Sequence, residues 1–267
     1  MHSSVIHLSV LDLSIASLLV VGSAMISIRL RLGLEKSLSV AALRCVAQLG
    51  MVGFVLQKVF AIHHPLPVIL WLLLMLVTAG SEAVRRSKWE YGGIRTDAML
   101  TMAFSAFSVG TVVTQAVVGT TPWYDPQYVI PVLGMIFGNS LNGISLCLDR
   151  FLEHVSARRN EIELLLTFGA NRSEALSAPL REAVRTGMIP IINNMSVAGL
   201  VSLPGMMTGQ ILAGSPPVDA VKYQMVVMFM ISAANALGSM AVSLLASRRL
   251  MDASGILRLD ILRKKQT

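Results

Sequence analysis

Few side chains in this 267-residue chain could do chemistry, and most of them sit in apolar surroundings. A polar group inside an apolar run is costly, so each is a candidate for function. Arg44 and Gln48 lie four residues apart and share a face if the run is helical. They could line a substrate path. Arg44 could also reach the interface, since it stands about six residues, or ~9 Å, from the end of its run. A second group is Asn193, Asn194, Ser196, Ser202, Thr208 and Gln210, interleaved with Pro190, Gly199, Pro204 and Gly205. Each proline removes a backbone donor, and Pro204-Gly205 can unwind a turn. Irregular backbone at membrane depth is tolerated only against protein or a water-filled path. These residues, with Pro204, Met206 and Met207, therefore mark a translocation path or a dimer seam. The plain alternative is a kinked packing helix.

The same sequence argues against catalysis. It has no G-x-x-x-x-G-K-[ST], H-E-x-x-H or G-x-S-x-G, so no ATP site, zinc site or nucleophile elbow of these kinds is expected. The histidines, His2, His7, His63, His64 and His154, show no ligand spacing, and His63-His64 reads as a solvated loop. Cys45 and Cys147 fall in apolar runs and read as buried free thiols. The chain has 16 methionines, among them Met206, Met207, Met225, Met228 and Met230. Thioethers bind soft metals, but methionine is also a flexible packing residue. Without cysteine or histidine at matched spacing, packing is the favoured role, and metal ligands stay unknown.

The elements that must position these groups are membrane helices. Apolar residues make up 54% of the chain and charged residues only 14%, with mean hydropathy +0.67. Soluble domains carry about 25% charged residues. Seven runs approach the ~20 residues that cross a bilayer. They cover about Ser9–Ile28, Leu38–Phe60, Pro65–Ala83, Ala98–Val118, Tyr128–Leu148, Met188–Leu212 and Val221–Ala246. The first eleven residues lack Lys and Arg, so the basic region of a signal peptide is missing and the first run is expected to be retained.

Nineteen of the 22 Lys and Arg residues flank one side of these runs, and the other side has only Lys58 and Lys222. The positive-inside rule then puts the N-terminus outside and the C-terminus in the cytosol. The net charge of +7 reads as membrane-surface charge, not as a nucleic-acid stripe. The fold class is all-α and polytopic, a single membrane domain over residues 1–267, with membrane lipid as its surroundings. Gly134 and Gly138 form a GxxxG followed by Asn139, Asn142 and Gly143, and Ala234, Asn235 and Gly238 give the last run a similar surface. Small residues at such spacing let helices approach closely. Glu82 is expected to pair with Arg85 or Arg86.

The longest connection, about 149–187, is charged and expected to be cytosolic. Gly169 reads as a helix stop, Asn171 and Ser173 as caps, and Pro179 as a start near Ser177. Two short helices would then lie under the membrane with a turn at Gly169–Ser173. Glu163 followed by Gly169-Ala170 resembles the coupling loop of ATP-binding-cassette permeases. The continuation from Asn193 to Gly214, with Tyr223-Gln224 and Val226–Phe229, closely resembles the FetB family of permeases. That family includes bacterial iron-export permeases and plant relatives linked to aluminium tolerance.

The resemblance implies a permease of the cell membrane, in bacteria the inner membrane. It would work as a homodimer with a separate ATPase subunit that carries the ATP and Mg. No cofactor and no catalytic residue is then expected in this chain. Glu163, Gly169, Ala170, Asn171 and Arg172 would dock on the ATPase. Iron export is the implied activity, and a nucleotide sugar is the alternative cargo drawn from the plant relatives. The residues alone also leave open an ATP-independent carrier, with Arg44 and Asp12 as coupling groups.

Overall fold

The computed structural model describes residues 9–62, 64–251 and 256–265. His2, His7 and His63 lie outside the described residues. Among the described residues, six helices are long and apolar enough to cross a membrane: Leu11–Arg29, Glu35–Ala61, Pro65–Arg86, Ile94–Val118, Pro126–Ala157 and Pro217–Leu250. The chain is a helical, multi-pass membrane protein. The run over 188–212, expected to have an irregular interior, is divided in two.

The chain forms two compact units. The first holds helices α1 (Val10–Arg29) and α2 (Glu35–Ala61). Ser9 caps α1 in a capping box: the Asp12 carboxylate accepts from the Ser9 backbone and hydroxyl, both at 2.8 Å. Asp12 is thus occupied in holding a helix start. At the turn, Ser27 accepts from the Leu34 N–H and donates to Glu35, each at 3.0 Å. These helices bury almost nothing within their own unit. Leu19, Leu43 and Leu49 are all exposed. Cys45, expected to be buried, is exposed too, because the apolar run around it faces outward.

The second unit holds the rest of the chain apart from Leu212–Gly214. Its long helices are α3 (Pro65–Arg86), α4 (Ile94–Thr111, continued as a π-helix over Val112–Val118), α5 (Pro126–Ala157), α8 (Ser177–Val197) and α10 (Pro217–Leu250). Between them lie the short helices α6 (Arg159–Thr167), α7 (Arg172–Ala175) and α9 (Gly205–Leu212). The core is the mutual packing of α5, α8 and α10, with α3 against α5 and α4 against α5 and α10. Ile136, Ile144, Leu148, Phe151 and Leu152 of α5 are fully buried there.

Small residues bring the three core helices together. A Cβ on Gly187 would lie 2.8 Å from the Gly143 carbonyl oxygen and 2.8 Å from the Cys147 Cβ. Asn235 fills the space above Gly143 and donates to the Gly187 carbonyl at 2.9 Å. Cys147 is buried beside Ser243 at 3.0 Å. The GxxxG at Gly134 and Gly138 is not where the helices meet most closely. Gly138 has nothing near it, and Gly134 meets only the flexible end of Met75. The closest approach falls further along, at Gly143, because the face set by Asn235 and Gly187 passes there.

One end of this unit collects the charge. Arg249 donates to Asp97 through two nitrogens, each at 3.3 Å, and Tyr91 donates to the same carboxylate at 2.9 Å. Asp149 accepts from the Lys88 N–H at 2.7 Å, and Lys265 Nζ donates to the Val84 and Ser87 carbonyls at the end of α3. Strands β1 (Trp89–Glu90) and β2 (Arg263–Lys264) pair antiparallel across this end. Glu82 pairs with Arg85 and Arg86, as expected for a helix end.

Burial first, and then Asp97, push the Tyr91 phenol above its ordinary range, so the hydroxyl remains a donor. Asp97→Ala strands that buried hydroxyl. It is expected to lower stability by about 1–3 kcal/mol. Thermal unfolding in detergent should show this loss, with a smaller one for Arg249→Gln, since that guanidinium is half exposed.

Candidate functional site

The elbow formed by α6 and α7 is built from local signals. Helix α6 ends where Gly169 takes φ +89, a conformation that favours glycine. The Gly169 N–H donates to Leu166 at 3.0 Å and the Ala170 N–H to Leu165 at 3.0 Å, the paired bonds of a Schellman cap. Asn171 then caps α7 in a capping box with Glu174, at 3.0 and 2.8 Å. Arg172 is the first residue of α7, and α8 starts at Ser177. Gly169, Ala170, Asn171 and Arg172 are therefore one continuous reversal. Glu163 stands one turn and a half earlier and pairs with Arg159 at 2.7 Å.

This elbow is anchored on one side and bare on the other. Ile162, Ala175 and Leu176 are buried. Leu164, Leu165 and Phe168 are exposed, Phe168 at 81%. The apolar residues of α6 and its cap are thus divided: Ile162 is buried against the bundle, and the other three face away from it. The ion pair Glu163–Arg159 and the exposed Arg172 lie on the same elbow as this apolar edge.

From the elbow, α8 runs uninterrupted through Pro190 to Val197. The chain then breaks. Gly199 takes φ +84, and its N–H donates to Ser202 at 2.9 Å. The Val197 carbonyl accepts from Leu200, Val201 and Ser202 at 3.0–3.3 Å. The break thus satisfies much of its own backbone. Its tip is apolar and bare, with Leu200 at 91% and Val201 at 82% exposure. Pro204 sits just before α9, so it starts a helix instead of kinking one. Its carbonyl accepts from the Thr208 N–H at 3.0 Å.

The structure does not gather the path candidates in one place. Asn193, Asn194, Ser196 and Ser202 are exposed on the end of α8 and on the break. Ser196 donates to the Ile192 carbonyl at 2.8 Å. Gln210 on α9 has a buried Oε1 without a hydrogen-bond partner. Arg44 and Gln48 are exposed on α2, in the other unit. Pro204 and Met207 line a cavity of about 390 Å³ between the break and the start of α10, while Met206 does not.

That cavity brings three methionines named from the sequence together with a fourth, Met195. Met195 and Met207 approach from the α8–α9 side, and Met225 and Met228 from α10. Gln224 joins them, and its Oε1 is buried without a partner. Met230, grouped with them by sequence, packs in the core at 2% exposure. Met225 and Met228 are three apart on α10, a spacing that puts both on one face. That was the available signal. Met195 and Met207 join them only because of the break.

Comparison with known proteins fits this architecture. Residues 10–251 match the family model described as "Uncharacterised protein family (UPF0014)". The chain is 35% identical over 237 residues to "UPF0014 membrane protein YjkA" of Bacillus subtilis, covering 88% of this chain and 92% of that protein. It is 32% identical over 256 residues to "Probable iron export permease protein FetB" of Escherichia coli, covering 95% and 96%. It is 30% identical over 225 residues to "Protein ALUMINUM SENSITIVE 3" of Arabidopsis thaliana, covering 84% and 81%. No solved structure matches the chain. A match over nearly the whole chain, from the first membrane helix to the end of α10, makes this protein a member of the UPF0014 family of membrane proteins.

Proposed function

We propose that this chain is the membrane-spanning permease subunit of an ATP-driven metal exporter, powered by a separate ATPase subunit. The observation that carries the reading is the elbow. It leaves Leu164, Leu165 and Phe168 bare at the charged end of the bundle, and it joins directly to α8. A partner that moves the elbow moves α8, and with it the break and the cavity. ATP and Mg belong to that partner. The name of the Escherichia coli relative makes iron the first cargo to test.

Distance supports a seventh crossing made of two pieces. From Thr186, just after Arg185, to Val197 is an uncharged helical stretch about 18 Å long, and α9 adds about 12 Å. Together they match the ~30 Å hydrocarbon core. An odd number of crossings agrees with the charge asymmetry and puts the C-terminus in the cytosol. The bare tip at Leu200 and Val201 then lies at membrane depth, where irregular backbone needs cover. A second copy of the chain supplies it, which makes the working unit a homodimer.

Capture of the partner tests the reading. The tagged chain is expected to co-purify with an ATPase that carries a P-loop, and Glu163→Ala is expected to weaken the capture without changing the melting temperature. An exposed ion pair such as Glu163–Arg159 contributes at most about 1 kcal/mol to folding. Capture of no nucleotide-binding protein by the wild-type chain would sink the proposal.

A further inference from the structure

We propose that the cavity beside the break is a binding site for a soft monovalent metal ion of the copper(I) and silver(I) type. This deepens the exporter reading, on which it rests for the claim that the cavity belongs to the cargo path. The binding claim itself concerns only the residues that line it.

Three observations converge on this ion class. First, four methionines, Met195, Met207, Met225 and Met228, line one cavity of about 390 Å³. Thioether sulfur is a neutral, polarizable donor that selects soft ions, and hard oxygen-loving ions gain little from it. Secondly, Gln224 lines the same cavity at 7% exposure, with an Oε1 that has no hydrogen-bond partner. A buried amide oxygen left unpaired costs about 1–3 kcal/mol. A rotation of the Gln224 side chain would bring that oxygen to a cation held in the cavity. Thirdly, no group of three or more His, Cys, Asp and Glu among the described residues could hold a metal ion. Imidazole, thiolate and carboxylate clusters are the usual sites of borderline and hard ions, and thioethers are not.

Charge points the same way. The cavity lining contains no ionised side chain. An ion entering it pays desolvation without a counter-charge. The Born cost rises with the square of the charge, so a divalent ion pays about four times as much as a monovalent ion of equal size. Thioether bonds can offset the smaller cost. The cavity also lies far from the elbow: Met225 and Arg249 are 24 positions apart on α10, about 36 Å along the helix. Partner docking and ion binding therefore use opposite ends of the bundle, joined through α8.

The test uses silver ion added to the purified full-length chain in detergent. The exposed thiol of Cys45 would bind silver by itself, so the chain carries Cys45→Ser throughout. Equilibrium dialysis with elemental analysis is expected to give about one tightly held silver per chain. Met225→Leu with Met228→Leu preserves side-chain volume and should leave the melting curve in place. That pair is expected to weaken silver binding by about 100-fold or more, beyond the loss usual for an outer-shell partner. Met240→Leu, an exposed methionine outside the cavity lining, should change nothing.

Because thioethers and amides do not titrate, affinity should stay flat between about pH 5 and pH 8, where a histidine site would lose its ion. Silver binding unaffected by the paired leucines, or absent from the Cys45→Ser chain, overturns the site. Glu163→Ala keeps the exporter reading separate: it should abolish transport and leave silver binding unchanged.

Discussion

Gly187→Leu is expected to remove more than about 3 kcal/mol of stability, or to prevent accumulation of the folded chain. The glycine sits where α5, α8 and α10 come closest. A Cβ there would stand 2.8 Å from a backbone carbonyl oxygen and 2.9 Å from Ser239 Oγ, and backbone cannot step aside as a flexible side chain can. Overpacking of this kind costs about 1–3 kcal/mol for extra methylenes alone. The forced separation also breaks the bond from Asn235 to the Gly187 carbonyl, leaving a buried amide group without its acceptor. Gly138→Leu is the matched control. It adds the same side chain to the neighbouring glycine motif, at a position with no neighbour, and is expected to leave the melting temperature nearly unchanged. Thermal unfolding in detergent micelles separates the two. A Gly187→Leu chain as stable as the wild type would mean that the three helices do not meet there.

Phe168→Asp is expected to abolish ATP-dependent transport while the chain folds normally. Phe168 is 81% exposed, so the substitution removes no packing within the chain. It places a charge in the middle of the edge formed with Leu164 and Leu165. If that edge seats in a partner's groove, an aromatic anchor there is worth about 2 kcal/mol or more, and burying a carboxylate instead adds a further penalty. Partner affinity should then fall by more than about 30-fold. The combination to look for is an unchanged melting curve with lost capture and lost transport. Either loss without the other would separate docking from coupling.

Much of this was legible in the sequence because the signals are local. Long apolar runs marked five of the helices of the second unit and both helices of the first. Gly169, Asn171 and Pro179 marked the elbow, and each carries out the turn or start that its chemistry suits. The glycines and prolines after Val197 marked the break.

What stayed hidden depends on which faces meet. Asp97 and Arg249 are 152 residues apart, and neither stands out alone. Gly134 and Gly138 match a packing motif by spacing, yet Gly143 and Gly187 make the close contact, because the partner face is set by Asn235. Cys45 lies in an apolar run but on an outward face. The methionines read as packing because no cysteine or histidine stands at matched spacing beside them. Four line one cavity only once the break turns α9 toward α10.

Inside-out membrane vesicles containing this chain, with and without the proposed ATPase subunit, test the central claim most directly. Radioactive iron and, in parallel, silver ion are supplied outside, and accumulation is followed after ATP is added. The account predicts metal accumulation that needs ATP and the ATPase subunit and that disappears with Phe168→Asp. Metal accumulation that proceeds equally without ATP, or without the ATPase subunit, would contradict it.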